Sequence, residues 1–447
     1  MFLPLAAPEA FAAEVEVEGS YRARGQIFDS LSLDHALPDS EGLSFGFDHR
    51  VWLRPTLHVS DAARIIVDIK ALDGVAWGTQ ESAVTNTVPG AAPTLDSELT
   101  APVGDTDPKE ALQDITLWRA WTSFDTRAGR FDVGRQAAHW GEGLWWNDGL
   151  SVAPALARYG DSVDRLGWET LVQDEFFVGL SADIVSEGYL GAEDDTTSFN
   201  GHVAYRSETV HAGLLAQVRH TADPDFTVFT IDGASSATMG RLSAATEVVG
   251  QFGGGALADI GEGVSLTAIG AVVDASLDLA PYKLRLRAGL ATGDGQDRDL
   301  KLKTFSFDRD YSVGLVMFEQ TLPTLAAAAP NDVNDGRNTD IALSGNAVSN
   351  ALYLLPSVER RIVEGLDAEF SVLAARTAKV PDSFGGRTSY GLELDGGVNW
   401  EPVPRVVMGL TGAVFLPGTY YREFDDDVYG ELNDPVYGGM LEVRTGF

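Results

Sequence analysis

The chain has 447 residues with 66 acidic and 32 basic side chains, which gives a formal net charge of −34. A charge this negative repels phosphate backbones, so a nucleic-acid partner is not expected. The hydrophobic fraction of 44% is too high for a disordered acidic chain. Because the sequence contains no cysteine, it excludes disulfides, thiolate metal sites and cysteine nucleophiles.

The N-terminal residues 1–12 carry two features of a secretory signal, an apolar stretch and the small-residue site Ala10-Phe11-Ala12, but they lack its basic region. They predict a signal-peptide remnant or a flexible leader. Residues 13–447 are expected to form a single domain. No run of 18 apolar residues occurs in it, so the sequence predicts no transmembrane helix.

Segment 13–28 alternates strictly between polar and apolar residues. Val15, Val17 and Ile27 fall on one face, and Arg22 and Arg24 fall on the other. Since successive side chains of a strand point to opposite faces, this segment predicts a strand with one apolar and one charged face. The same alternation recurs along the chain.

The lengths of the alternating segments distinguish a membrane barrel from a soluble β-sandwich. Several segments span about 10 to 16 residues, longer than the usual 5 or 6 and close to the 9 to 11 that cross a bilayer at a tilt. Short connections, one of them placed at 233–240, alternate with long ones, as in barrels with turns at one rim and loops at the other. About eight short and nine long connections predict 18 strands, an even number that places both termini on one side.

A barrel of this size is too wide to be filled by its own side chains, so its charged faces are expected to line an aqueous lumen. The predicted fold class is all-β, a transmembrane antiparallel β-barrel of about 18 strands with long outer loops, some folded into the lumen. The candidate pore-lining residues are Arg22, Arg24, Arg50, Arg54, Arg119, Arg135, Lys283, Arg285, Arg287, Glu247 and Glu393.

The lumen candidates include both signs of charge. The segment 283–287, KLRLR, places three cations on one face, which favours an anionic solute. The alternative is that these cations only balance neighbouring lumen carboxylates.

The stretch 117–149 reads as a strand, a short turn, a second strand and a loop rich in glycine and tryptophan. It resembles a hairpin of the alginate-export-like outer-membrane porins. The matching residues are Arg119, Ala120 and Trp121, then Gly134, Arg135 and Gln136, then Trp140, Gly141 and Glu142. A second stretch, 305–320, resembles a loop segment of these porins. The resemblance implies an 18-stranded barrel with inward loops and a polar or charged solute, without implying alginate.

The loop at 139–161 is the candidate constriction. Its candidate residues are Trp140, Glu142, Trp145, Trp146 and Asp148. A loop this apolar is costly to leave in solvent, so we expect it to fold into the lumen. The alternative is an outer loop that packs against its neighbours.

Acidic residues cluster in the predicted outer loops at 187–196, 293–299 and 423–434. Carboxylate oxygens are ligands for calcium, and the weak candidates are Asp294, Asp297, Asp299, Asp425, Asp426 and Asp427. The clusters do not fit an EF-hand loop, and runs of like charge usually remain solvated. No cofactor is therefore expected, with loop-bound calcium as the alternative.

The last segment, 436–447, continues the alternation to the final residue. Leu441, Val443 and Phe447 are expected to face lipid, and Glu442 and Arg444 the lumen. This strand should pair with the first one and close the barrel, which removes both sheet edges. A terminal Phe after alternating apolar residues resembles the recognition signal of outer-membrane barrels, so Phe447 is predicted to be an assembly signal.

Together these features predict a porin that lets small polar or anionic solutes diffuse across the bacterial outer membrane. Both termini are expected in the periplasm. The expected partners are outer-membrane lipids, lipopolysaccharide, the barrel assembly machinery and the solute, with the chain acting as a monomer or trimer. The alternatives are a structural or surface-display barrel with a plugged lumen and, less favoured, a barrel enzyme. No Ser/His/acid set stands out, so no enzymatic activity is expected.

Overall fold

The computed structural model describes residues 14–29, 31, 33, 43–78, 115–150, 160–186, 196–222, 225–256, 263–295, 300–320, 322, 347–380, 388–422 and 432–447. The predicted leader at 1–12 and the acidic loops at 187–195, 296–299 and 423–431 lie outside these ranges. Among the described residues, no helix is both long and apolar enough to span a membrane.

The described residues form strands and one helical turn. The strands are β1 (Glu14–Asp29), β2 (Leu43–Ser60), β3 (Ala63–Gly78), β4 (Ile115–Thr126), β5 (Gly129–Ala137), β6 (Ser162–Gln173), β7 (Phe176–Ser186), β8 (Thr196–Arg206), β9 (Val210–Thr221), β10 (Phe226–Met239), β11 (Leu242–Ala256), β12 (Gly263–Leu279), β13 (Tyr282–Ala291), β14 (Lys301–Leu302), β15 (Ala351–Val363), β16 (Leu366–Thr377), β17 (Ser389–Val403), β18 (Val406–Pro417) and β19 (Val436–Gly446). The helical turn α1 is Thr419–Arg422.

The strands make one closed sheet. Each long strand pairs antiparallel with the next one along the chain, β13 pairs with β15, and β19 pairs with β1. The two-residue β14 pairs in parallel with β12 and is not part of the wall sequence. The wall is therefore an 18-stranded antiparallel barrel, which confirms the predicted fold class.

The turns of one rim are short, as predicted, with one correction. The expected connection at 233–240 is wrong in extent, because β10 continues to Met239 and the turn comes only at Gly240. Gly233 resembles a turn residue in the sequence, yet it pairs in register with both Leu214 and Val248. Gly240 supplies the turn, since its φ of +62° is a conformation that glycine adopts without strain.

The two faces of the wall differ in polarity. On β1 and β19, Val15, Ile27 and Leu441 are exposed on the outside, whereas Arg24 and Glu442 are buried on the inside. A lipid-facing apolar surface and a polar interior are the pattern of membrane barrels. The alternation read from the sequence therefore gives the correct faces for the first and last strands.

An apolar core lies inside the barrel instead of within the wall. The segment 300–320 contributes Phe305 and Met317, which belong to one buried cluster with Val272, Leu373 and Phe415 of the wall. This segment therefore fills part of the lumen next to β12, β16 and β18.

The seam between β1 and β19 is tightly closed. Gly19 and Phe447 exchange two backbone hydrogen bonds of 3.1 and 2.9 Å. A Cβ on Gly19 would stand 2.5 Å from Cζ of the Phe447 ring, so only glycine leaves room for the aromatic group. The terminal residue thus packs over the first strand.

Candidate functional site

Two segments fold into the barrel and define the candidate site. We call residues 138–150 with 160–161 the first inner loop, and residues 300–320 the second inner loop. In the first inner loop, Trp145 and Trp146 stack with ring centroids 4.9 Å apart. They pack in one cluster with Val163 and Leu215, whose side chains point to the lumen. The predicted inward position of this loop is what the structure shows, while its role as a constriction stays a prediction.

Glu247 on β11 anchors the first inner loop. Its side chain is fully buried and accepts hydrogen bonds from the backbone N–H of Glu142 at 2.5 Å and of Leu144 at 3.2 Å. The backbone N–H groups of a buried loop need such acceptors, because an unpaired buried N–H is costly in free energy.

Glu393 on β17 anchors the second inner loop in the same manner. Its side chain is also fully buried. It accepts hydrogen bonds from the backbone N–H of Leu315, Val316 and Met317 at 2.7, 2.8 and 2.6 Å. Each inner loop is therefore bound to the wall through one carboxylate that gathers successive amides.

Arg119 on β4 holds the ends of the first inner loop together. It donates hydrogen bonds to the carbonyl oxygens of Asp148 and Asp161 at 3.3 and 2.8 Å, and to the Ser162 hydroxyl at 2.8 Å. Its guanidinium lies 3.5 Å from the carboxylate of Asp68 and is fully buried. This arginine is thus part of the loop support and not of the accessible lumen wall.

The two inner loops touch through backbone and carboxyl groups. Gly160 N–H donates to Asp310 at 2.5 Å, and Asp308 N–H donates to the Leu144 carbonyl at 2.6 Å. Burial raises the pKa of Asp161 to about 6, and burial with the charge of Asp161 raises the pKa of Asp308 well above its usual range. The Asp161 and Asp308 side chains hydrogen-bond to each other, so this contact favours a shared proton.

The remaining candidates of the first inner loop lie near its entry. The Trp140 ring stands 5.6 Å from the His202 ring of the wall. Asp148 lies 3.7 Å from Nδ1 of His139. Burial raises the pKa of Glu142.

A cavity of about 280 Å³ lies between the first inner loop and the wall formed by β18, β19 and β1 to β4. Its lining comprises Ser20, Tyr21, Arg22, Arg50, Trp52, Lys70, Trp118, Gly149, Leu150, Arg405, Val407, Arg444, Thr445 and Gly446. The lining includes five cations and no carboxylate. Within it, Arg22 pairs in register with Arg50 on one side and Arg444 on the other.

The structure places the predicted pore-lining residues in three kinds of position. Arg22 and Arg50 line the cavity, and Arg54 lies on the same inner face, where it binds Asp68 at 2.6 Å. Glu247 and Glu393 point inward but are covered by the inner loops, so they do not line an open lumen. The sequence pattern predicts that these two side chains point inward, but it cannot show that a loop covers them.

The cations of β13 point inward at different depths. Arg285 and Arg287 both bind Asp274, and Arg287 also donates to the Ser312 carbonyl of the second inner loop at 3.0 Å. Lys283 pairs in register with Glu359 near the short-turn rim. Arg285 and Arg287 thus share one carboxylate, and the preference of this segment for an anionic solute stays a prediction.

Arg135 is on the opposite side of the wall from its prediction. It pairs in register with Ala120 and Asp164, and its guanidinium lies 4.0 Å from the half-exposed Asp164 carboxylate. The neighbouring outward position on β5 is Val133, which is exposed. Alternation along β5 places Arg135 on the same face as Val133, so Arg135 belongs to the outer face.

The calcium candidates receive little structural support. Asp294 is buried and lies 3.3 Å from the Lys303 ammonium. Asp297, Asp299, Asp425, Asp426 and Asp427 lie outside the described residues. In the part of the chain that is described, no group of three or more His, Asp or Glu side chains is arranged to hold a metal ion.

Several residues of the site were not singled out from the sequence. Lys70 falls on the charged face of its strand and could have been found by alternation. Trp118 could not, because it is the extra residue of a β-bulge between the pairs Asp68–Arg119 and Ile69–Leu117. The contact between Asp161 and Asp308 joins two loops far apart in sequence and left no local signal.

Comparisons with known proteins identify the fold. No protein-family model matches the sequence, and no curated protein matches it. Among solved structures, OccK9 (OpdG) of Pseudomonas aeruginosa is similar with a TM-score of 0.56 at 10% identity, over 97% of this chain and 99% of that chain. The outer membrane protein opdK of the same organism gives 0.52 at 10% identity, over 97% and 99%.

A third similar structure, OccK2 (OpdF) of Pseudomonas aeruginosa in complex with glucuronate, gives a TM-score of 0.52 at 9% identity, over 97% of this chain and 98% of that chain. None of these comparisons supports the alginate-export-like family in particular. At such identities the likeness shows a shared fold, the closed antiparallel β-barrel of outer-membrane porins.

Proposed function

We propose that this protein is an outer-membrane porin through which small anionic solutes diffuse. The observation that carries the proposal is the five-cation lining of the cavity beside the first inner loop. In a wide barrel narrowed by inner loops, solutes pass close to the remaining wall, and its charges select among them.

A solute in the lumen responds to the local charge of the wall and not to the net charge of the chain. At physiological ionic strength, charges screen one another beyond about 8 Å in solvent. The cations of the cavity lining lie directly beside a solute at the first inner loop. A low-dielectric wall with one sign of charge focuses the field and raises the local concentration of anions.

One of the similar structures supports the proposal. OccK2 (OpdF) was solved with glucuronate, a small sugar acid. A solute of this kind carries one carboxylate, and arginine forks bind carboxylates in a bidentate manner. We extend the expectation of a small anionic solute to this chain on the basis of its own cation-lined cavity.

The proposal includes the location of the protein and its orientation in the membrane. The protein lies in the outer membrane with both termini in the periplasm, on the side of the short turns, in contact with lipids and lipopolysaccharide. It reaches the membrane through the barrel assembly machinery and works as a monomer or trimer, without catalysis. No cofactor takes part, and calcium bound by the acidic outer loops is the alternative.

One observation favours a second candidate, a structural barrel that conducts little. The second inner loop packs an apolar cluster onto the wall and fills part of the lumen. If this packing extended across the barrel, the lumen would be plugged.

Reconstitution in planar bilayers with a KCl gradient tests the proposal. A reversal potential that shows anion selectivity is the expected result, together with uptake of glucuronate by liposomes. Cation selectivity would contradict the anionic solute, and the absence of any conductance or swelling would favour the structural barrel.

A further inference from the structure

We infer that a divalent cation with the ligand preferences of calcium binds behind the first inner loop, between Asp232 of β10 and Glu247 of β11. This site lies on the inner face of the wall and shares no residue with the calcium candidates of the outer loops. A bound ion would fix the first inner loop whatever solute the barrel conducts, so the site is independent of the proposed function. The ion is structural and takes no part in transport.

Two buried carboxyl groups meet at this place. The side chains of Asp232 and Glu247 are both fully buried, and Asp232 faces the carboxyl group of Glu247 and the indole of Trp140. Among the described residues, no Lys, Arg or His side chain forms an ion pair with either carboxyl group. Two adjacent carboxylates that have left water cannot both keep their charge without a positive partner. The pair therefore needs a proton or a cation.

Two further oxygen atoms lie in the same patch. Thr230 stands two residues before Asp232 on the same face of β10, and Gln217 of β9 pairs in register with Thr230. The three side chains of Gln217, Thr230 and Asp232 are 2%, 1% and 0% exposed. Gln217 Oε1, Thr230 Oγ1 and both carboxylate oxygens of Asp232 have no hydrogen-bond partner of normal geometry in the described part of the chain. Buried polar atoms are nearly always satisfied by protein, water or an ion.

The orientation of the Gln217 amide follows from its neighbours along the wall. Arg165 and Asn200 both donate hydrogen bonds to the carboxylate of Asp183, at 2.7 Å each. Because the Asn200 nitrogen is used in this way, its oxygen accepts the amide nitrogen of Gln217 at 2.7 Å. The nitrogen of Gln217 thus points to β8, and its oxygen is left for β10, on the side of Thr230. A chain of hydrogen bonds that starts at an acceptor-only carboxylate therefore presents an oxygen to the patch.

The chemistry of these four groups favours a cation over a proton. A proton shared by Asp232 and Glu247 would satisfy the carboxyl pair and leave Gln217 Oε1 and Thr230 Oγ1 unchanged. A cation can accept oxygen ligands from all four side chains, and two carboxylates match a divalent charge. Calcium takes carboxylate, amide and hydroxyl oxygens in flexible geometries, whereas magnesium demands an ideal octahedron and keeps its waters. The set contains no nitrogen or sulfur ligand of the kind that zinc prefers.

The ion would act on the first inner loop through Glu247. The loop lies directly on this side chain, since a Cβ on Gly141 would stand 2.6 Å from Glu247 Oε2. The same carboxyl group accepts the N–H of Glu142 and of Leu144. Hydrogen bonds to an ionised acceptor are roughly twice as strong as neutral ones. A cation that keeps Glu247 ionised therefore strengthens the bonds that hold the loop.

The test uses the full chain in detergent micelles at pH 7.5, freed of metal with a chelator and then titrated with calcium chloride or magnesium chloride. Hydrogen exchange in peptides covering 141–147 reports on the loop. At a calcium concentration about ten times the dissociation constant, exchange there should slow by about tenfold, because the ion binds only the closed form. Magnesium at the same concentration should have a much smaller effect.

Three variants separate this site from other causes. Asp232→Asn should abolish the response to calcium. Thr230→Val keeps the shape and charge of the patch and should weaken calcium binding by roughly tenfold or more, since loss of a direct ligand should cost at least as much as loss of an outer-shell partner. Asp132→Asn makes the same change at a half-buried carboxylate paired with Arg130 and should leave the response unchanged.

Two results would overturn the inference. An equal calcium response in Asp232→Asn and in the unmodified chain would place the ion elsewhere, for example in the acidic outer loops. Exchange at 141–147 that changes with pH and not with calcium would mean that the carboxyl pair shares a proton. Neither result depends on ion conduction, so failure of the site leaves the porin proposal intact.

Discussion

The carboxylate of Glu393 is predicted to keep the second inner loop in the lumen. We consider the substitution Glu393→Gln, which preserves the size of the side chain and replaces one acceptor oxygen with an NH₂ group. In the protein, one carboxylate oxygen accepts the N–H of Leu315 and Val316, and the other accepts the N–H of Met317. A glutamine can preserve the first pair of bonds but must turn an N–H donor toward Met317.

The magnitude follows from the lost bond. A buried donor without an acceptor costs about 1–3 kcal/mol, and the side chain at this position is fully buried. We therefore expect a loss of about 2 kcal/mol in the free energy that holds the loop against the wall. This corresponds to a roughly 30-fold increase in the fraction of molecules with the loop displaced.

Hydrogen exchange detected by mass spectrometry measures the equilibrium between the bound and the displaced second inner loop. Peptides covering 315–317 should lose protection by roughly 30-fold, and single-channel recordings should show more frequent changes of conductance. The control is Glu369→Gln, which makes the same charge change at an exposed position on β16. Unchanged protection at 315–317 in Glu393→Gln, or an equal loss in the control, would refute the reasoning.

Three further predictions concern the first inner loop, the contact between the two inner loops, and the C-terminal residue. Glu247→Gln should raise hydrogen exchange in the first inner loop by roughly 10- to 30-fold, since it removes an acceptor for backbone amides, and unchanged exchange would contradict the anchor. The pKa values of Asp161 and Asp308 are raised when the two inner loops are in contact, so formation of the contact takes up protons. The resulting stabilisation of the contact is fully present below about pH 4 and is lost as the pH rises through about 6. Channel opening should therefore increase between pH 5 and 8, and Asp308→Asn should reduce that dependence. Deletion of Phe447 should lower the amount of assembled barrel, measured as heat-modifiable protein in outer-membrane fractions, and normal amounts would contradict its role as an assembly signal.

The wall could be predicted from the sequence because its physical cause is local. A strand between lipid and water needs alternating side chains, so the faces of β1 and β19 follow from the pattern of a dozen residues. The alternation of short and long connections then gives the number of strands. The turn predicted at 233–240 is too long. Glycine at position 233 is typical of a turn, but Gly233 pairs with residues of both neighbouring strands.

The site could be predicted only in part because its cause is not local. Alternation places Glu247 and Glu393 on the inner face, but their partners are amides 103–105 and 76–78 residues away. No pattern near either glutamate shows that a loop will cover it. Trp140, Trp145 and Trp146 carried a clear signal, because three indoles on a loop need an apolar environment.

The anchors bear on the proposed preference for anions in a chain with a net charge of −34. Glu247 and Glu393 accept hydrogen bonds from loop amides and are covered by the loops that they hold. Both lie on the wall between β9 and β18, away from the seam at β1 and β19. The cavity with five cations in its lining lies at this seam, beside the first inner loop. We therefore propose that the loop positions, and so the two buried carboxyl groups that fix them, determine which cations of the wall a solute meets.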